Sequence, residues 1–202
     1  MHLLLATNNT AKLEEMRAIL FDPLLTLHTP KDFPNLRPVD ETGSTYEENS
    51  AIKAISYAQQ TGVCALADDS GLEVEALDGA PGVLSARYAG TGASDSSRIA
   101  FLLSQLETAG SYGRAARFVS VAALADANGS LIKVSFGFCE GQIIETPRGA
   151  NGFGYDPIFI PNGFSETFAE LTAEVKNLIS HRARSLRAMN AFLKEYLTAA
   201  DA

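Results

Sequence analysis

The chain has 202 residues, 46% of them hydrophobic and 20% charged, an ordinary folded-protein balance that excludes a disordered tail. Its 24 acidic against 16 basic side chains leave a net charge of −8, which disfavours a nucleic-acid polymer, because such binding neutralises many phosphates with Lys and Arg. A small anion remains admissible where local cations, helix N-termini or a metal hold it.

Cys64 and Cys139 lie in apolar stretches and read as small core residues. Two cysteines in a chain this long do not make a disulfide scaffold. The apolar start at residues 1–6 is too short for a signal peptide and lacks a basic flank. No run approaches the roughly 20 apolar residues that span a bilayer. The expectation is a cytoplasmic protein with neither a membrane nor a nucleic-acid partner.

In chain order, residues 3–6 form a short apolar run that predicts a buried strand, turning at 7–10 into a helix from about Lys12 with Leu13, Met16, Ile19 and Leu20 on one face. Pro23 follows that helix, 24–28 predicts a second strand, and Pro30, Pro34 and Pro38 mark an irregular crossing. Thr45 with Glu48 fits a capping box for a helix to about Gln60, stopped by Gly62. Residues 63–67 predict a buried strand delivering Asp68, Asp69, Ser70 and Gly71 at its C-terminal end. Residues 78–82 are loop, and Ser94 caps a helix carrying Ile99, Leu102, Leu103 and Leu106. Residues 118–124 and 131–138 flank Asp126-Ala127-Asn128-Gly129 and predict a hairpin. Residues 141–144 suggest one more strand, the Gly-rich 149–157 opens onto 158–160, and a last helix starts near Ser180 with Leu186, Met189, Leu193 and Tyr196 inward. Early β/α alternation followed by a hairpin implies a mixed sheet in an α/β fold.

Three clusters could carry chemistry. Residues 7–12 make a strand–loop–helix turn whose first-turn amides attract anions, with Thr7, Asn9 and Lys12 adding a hydroxyl, an amide and a charge; the plain alternative is a capped helix entry. Asp68 and Asp69 after an apolar run need water, a metal or a partner, and such oxygen ligands suit Mg²⁺ bridged to substrate phosphates; the alternative is an acidic turn. Glu41, Glu47 and Glu48 are further acids near a helix start, where most simply complement the helix dipole. In the third cluster, glycines around Phe153 and Tyr155 can leave a ring face open to stack on a base. Asp156 holds that loop or binds the ligand. His181 and Arg182 open a helix, where cations oppose the dipole and so hint at a bound anion or carbonyl.

Taken together and in order, these segments resemble the inosine triphosphatase family, also called the Ham1 or dITP/XTP pyrophosphatase family. The resemblance runs over nearly the whole chain: Ala6-Thr7-Asn8-Asn9-Thr10-Ala11-Lys12, Glu41-Thr42-Gly43 with Glu48-Asn49 and Lys53-Ala54, Ala67-Asp68-Asp69-Ser70-Gly71-Leu72, Gly79-Ala80-Pro81-Gly82 through Arg87-Tyr88, Gly152 to Phe159, Ala169-Glu170-Leu171, and Lys176-Asn177 to Arg182.

That resemblance implies one domain over 1–202, an elongated mixed central sheet with flanking helices forming two lobes around a nucleotide cleft. It implies Mg²⁺-dependent hydrolysis of dITP, ITP and XTP to the monophosphate and pyrophosphate, in a homodimer. By the same resemblance, residues Thr7, Asn8, Asn9, Thr10, Ala11 and Lys12 form the triphosphate loop, and Lys53 is a further phosphate contact. Asp69 is the proton acceptor and a metal ligand, Glu41 is a second ligand (Glu47 and Glu48 being the alternatives), and Ser70 touches substrate. Phe153 stacks on the purine, Gly154, Tyr155 and Asp156 line the base and sugar site, and Lys176, His181 and Arg182 read the base edge. Asn8 stands where many relatives place Gly, and Val175 where an acid is frequent. The rival readings are a Maf-type pyrophosphatase of other base specificity and a non-catalytic nucleotide-binding module.

Overall fold

The computed structural model describes residues 1–110 and 113–200. Its strands are β1 (His2–Leu5), β2 (Thr26–His28), β3 (Cys64–Val74), β4 (Ala115–Ala125), β5 (Leu131–Ile143) and β6 (Phe159–Pro161), with helices α1 (Thr10–Ile19), α2 (Tyr46–Thr61), α3 (Asp95–Thr108), α4 (Ala173–Ile179) and α5 (His181–Ala200). The six strands make one mixed sheet in the order β2-β1-β3-β4-β5-β6. The fold class is therefore the mixed α/β architecture expected.

The chain divides into two compact units: residues 1–69, 120–137 and 182–202, and residues 70–119 with 138–181. Strands β3, β4 and β5 each give one segment to each unit.

In the first unit β1 pairs in parallel with β2 and with β3, placing Leu4 beside Ala65 and Leu5 beside Leu66. Parallel strands covered on both faces need continuous apolar sequence, and the alternation sorts it. Leu3, Leu5 and Leu66 pack with Met16, Leu186 and Met189 from α1 and α5. Leu4, Ala65 and Ala67 pack against Ala54, Tyr57 and Ala58 of α2. The capping box of α2 forms in full, with Thr45 accepting from the Glu48 amide and Glu48 reaching back. In the second unit, α3 lays Ile99, Leu102 and Leu106 on a core with Leu72, Val74 and an aromatic cluster, in which the Phe118 and Phe159 rings meet edge-on at 4.7 Å.

Several expected boundaries differ. β3 does not end before the acids but runs through Asp68–Gly71 to Val74, because Leu72 and Val74 have a core to enter and both acids have cationic neighbours. Residues 141–143 are the end of β5, not a separate strand. A side chain at Gly141 would meet the Ile160 carbonyl at 2.2 Å, so β6 can close on β5 only beside a glycine. Helix α1 begins at Thr10 rather than Lys12, since Asn9 and not a later residue is its N-cap. Helix α4 has no periodic signature in the sequence, because its 7 residues are too few to display a period. In the last helix Tyr196 is half-buried and stacks on Phe192, and Leu197 is the buried neighbour. No helix among the described residues is long and apolar enough to cross a membrane.

Candidate active site

Adjacent residues of a strand point to opposite faces, so β3 separates its two acids. Asp68 follows Leu66 toward α1 and α5; Asp69 follows Ala67 toward α2. Each meets a lysine from the helix on its side.

Asp68 is buried at 1% exposure. Its Oδ1 accepts from Lys12 Nζ at 2.7 Å and from Arg182 Nη2 at 3.3 Å, and its Oδ2 accepts from Ser120 Oγ at 2.8 Å. Burial pushes the carboxyl up, but the Arg182 guanidinium and Lys12 ammonium outweigh it and hold Asp68 well below the usual carboxylate range. Behind it, Ser120 and Ser185 hydroxyls share a hydrogen bond at 2.8 Å. Arg182, at 1% exposure, also donates from Nη1 to Glu15 on α1. For Lys12 the dominant influence is burial, which lowers its pKa against the pull of Asp68.

Asp69 is set differently. Lys53 Nζ, from α2, lies 3.6 Å from its Oδ1, 3.1 Å from Glu41 Oε1 and 2.9 Å from the Asp68 carbonyl. The Oδ2 of Asp69 is buried with no hydrogen-bond partner among the described residues. Burial raises its pKa, Lys53 and Lys12 oppose that, and Glu41 and Asp68 add to it. The fold thus leaves Asp69 short of positive charge where Asp68 has an excess.

The remaining acids near α2 are separated by what they bond. Glu48 Oε2 accepts from the Ser44 amide at 2.6 Å and the Thr45 amide at 3.2 Å, which commits it to the cap. Glu47 is exposed on the helix surface. Glu41 is the acid that shares Lys53 with Asp69. No group of three or more His, Cys, Asp or Glu among the described residues could hold a metal. Asp69 with Glu41 is a set of two carboxylates, the number Mg²⁺ uses when substrate phosphates and waters complete its shell.

The 7–12 turn is built as the sequence suggests. Thr7 Oγ1 accepts from the Asn9 amide at 3.2 Å, and Asn9 Oδ1 accepts from the Lys12 amide at 3.1 Å. Asn8, Asn9 and Thr10 are exposed, Ala11 is half-buried, and the first-turn amides that follow Asn9 are those a helix leaves without intrahelical partners.

In the second unit, Phe153 is half-buried, with Lys176 Nζ 4.9 Å from its ring centre. Asp156, at 2% exposure, accepts from Lys176 Nζ at 2.5 Å and from the Phe153 amide at 2.9 Å. Tyr155 is 3% exposed, and its hydroxyl donates to the Ser85 carbonyl at 3.0 Å. Tyr155 and Asp156 therefore support the loop from within. Gly154 lies beside them, and Ser70 is half-buried at the start of this unit. His181 is buried with its ring stacked on Phe118 at 4.7 Å.

Glu15, Ser120 and Ser185 escaped the sequence reading. A hydroxyl inside the apolar 118–124 run is the one signal that could have marked Ser120; Glu15 looks like any exposed-face helix acid until Arg182 is placed beside it.

The model of the Ham1 family matches residues 3–192. A dITP/XTP pyrophosphatase of Geobacter sulfurreducens is 48% identical over 96% of this chain and 96% of its own. A HAM1 protein from Coxiella burnetii superposes with a TM-score of 0.89 at 44% identity, covering 96% of this chain and 99% of that one. The Ham1 protein of Staphylococcus aureus gives a TM-score of 0.86 at 38% identity, covering 97% and 100%. With a family match over nearly its full length, relatives of this identity and a shared fold, the chain belongs to the Ham1 family.

Proposed function

We propose that this protein is a pyrophosphatase that hydrolyses non-standard purine nucleoside triphosphates (dITP, ITP and XTP) to the monophosphate and pyrophosphate. The observation that carries the reading is the division of labour on β3: a neutralised, hydrogen-bonded Asp68 beside an under-neutralised Asp69 with a buried, unpartnered oxygen. Relatives named dITP/XTP pyrophosphatase along the whole chain support the substrate class.

In the reaction, water attacks the α-phosphorus, the bond from that phosphorus to the bridging oxygen breaks, and pyrophosphate departs with the bond's electron pair. Asp69, whose Oδ2 is buried without a hydrogen-bond partner among the described residues, takes the proton of the attacking water. Lys12, Lys53 and the first-turn amides of α1, with Thr7, Asn8, Asn9, Thr10 and Ala11, hold the phosphates and offset the charge that collects on the leaving group. Ser70 touches the substrate beside Asp69. The donors suit a hard divalent cation, so Asp69 and Glu41 would hold Mg²⁺, which supplies charge neutralisation at the phosphate oxygens.

Phe153 provides the stacking face for the purine with Gly154 alongside, and Tyr155 and Asp156 hold that loop in place. Lys176, His181 and Arg182 read the base edge. The position that Arg182 reads is the 6-oxo group of the purine. Donors facing that position favour a carbonyl and penalise the 6-amino group of ATP, which would stand unpaired against them. We place the enzyme in the cytoplasm as a homodimer; a light-scattering mass equal to one chain rejects the dimer.

The deciding experiment is pyrophosphate release from ITP, dITP, XTP, GTP, ATP and dTTP, with Mg²⁺ and with EDTA. Release confined to the first three and abolished by EDTA is expected. Release from dTTP but no purine would favour a Maf-type activity, and ITP binding without release would favour a binding module.

A further inference from the structure

Phe153 stands between Gly152 and Gly154, whose φ angles of 74° and 63° lie in the left-handed region. Glycines permit the turn but do not hold it, so the direction of the ring needs another source of order. Two carboxylates supply it. The Phe153 amide donates to Asp156 at 2.9 Å, which restrains rotation on the N-terminal side of the residue. The Gly154 amide shares a rigid peptide plane with the Phe153 carbonyl. That amide donates to Asp95 Oδ2 at 2.7 Å, across 59 positions of sequence.

Asp95 opens α3, where an acid ordinarily just complements the helix dipole. Here the cap is already made by Ser94, which accepts from the Ser97 amide. The Asp95 carboxylate is instead gripped on its other oxygen by Arg98 Nη2. Arg98 is in turn fixed to backbone, donating from Nη1 to the Ala86 carbonyl at 3.0 Å and the Ala93 carbonyl at 2.6 Å. Tyr155 ties the same loop to the neighbouring Ser85 carbonyl. The loop is thus pinned to the 85–98 segment at Gly154 and again at Tyr155.

We propose that Asp95, braced by Arg98, is a positioning residue for substrate recognition: through the Gly154 amide it fixes the backbone of Phe153 and so the plane on which the base stacks. This rests on the reading of Phe153 as the purine platform. Asp95 need not touch the nucleotide.

The test is a double-mutant cycle on the KM and kcat for ITP with Asp95→Ala and Phe153→Ala, accompanied by hydrogen exchange at the Gly154 amide. Losing a hydrogen bond to a charged group is expected to raise KM by about tenfold in Asp95→Ala with little change in kcat. In the Phe153→Ala background the Asp95 change should add almost nothing, because its effect runs through the ring. The Gly154 amide should exchange faster in Asp95→Ala. Asp95→Asn, which keeps an oxygen acceptor but gives up the charge, should fall between and serves if the alanine variant folds poorly. The proposal is overturned if the Asp95 effect persists in full without the ring, if KM stays at the wild-type value, or if Gly154 remains protected. If Phe153→Ala itself leaves KM unchanged, the platform reading fails and takes the proposal with it, an outcome distinct from the others.

Discussion

Replacing Asp68 by Ala should destabilise the protein more than any other single change around β3. The carboxylate is 1% exposed and receives Lys12 at 2.7 Å, Ser120 at 2.8 Å and Arg182 at 3.3 Å. Its removal takes one carboxylate from the buried Arg182, whose guanidinium also bonds Glu15, and takes from Lys12 its close acidic partner. Breaking a buried pair in this way costs about 3–5 kcal/mol, chiefly because the surviving charge stays desolvated. For a chain of this size each kcal/mol moves Tm by about 2–4 °C, so a fall of roughly 6–20 °C is expected. Urea unfolding followed by circular dichroism measures the loss directly. The companion variant Asp68→Ala with Arg182→Met removes the guanidinium that has lost this carboxylate and should recover part of it. A loss below about 1 kcal/mol for Asp68→Ala would refute the reasoning, since surface ion pairs reach that value without any burial. Failure of Arg182→Met to recover any stability would refute the assignment of the cost to the desolvated guanidinium.

Other consequences are simpler. Asp69→Asn should remove most pyrophosphate release while leaving the circular dichroism spectrum and Tm close to wild type, because Asp69 makes few bonds for the fold; full activity would dismiss it as the proton acceptor. Gly152→Ala should raise KM for ITP, since a left-handed φ of 74° costs an alanine about 1–2 kcal/mol and its Cβ would lie 2.0 Å from Asp156 Oδ2; the KM measured beside Tm separates recognition from stability. Thr45→Ala should cost about 1 kcal/mol in urea unfolding through the α2 cap, with activity little changed. The Glu48 half of that cap has a pH signature. Hydrogen bonds from the Ser44 hydroxyl and the Ser44 and Thr45 amides lower its pKa in the folded state. Its contribution is therefore present above the ordinary carboxylate range and is lost as pH falls through the lowered value, so Glu48→Gln should flatten the acid limb of the stability profile.

Much of this molecule was legible because its signals are local. A helix start is written in four residues, so Thr45 with Glu48 and Ser94 before α3 could be read directly. Buried strands announce themselves by composition, and the hairpin by its Asn-Gly turn. The loop residues of the candidate site were legible for a related reason: glycines and polar groups between apolar runs stand out without any knowledge of their partners. What those groups do to one another was not. Arg182 and Asp68 are 114 positions apart, and Arg182 and Glu15 are 167 apart. Whether a charged side chain at such a position faces a base or a buried carboxylate depends on which strands and helices become neighbours. Sequence alone therefore determined that two adjacent acids follow a buried apolar run. The tertiary structure decided that both acids lie within β3 and part to opposite faces, that one is paired with Lys12 and Arg182 while the other keeps a buried oxygen without a hydrogen-bond partner among the described residues, and that Tyr155, Asp156 and Asp95 bond the Phe153 loop from behind. The reason is that pairing and desolvation act through space, and a chain records them only where its partners are close in sequence.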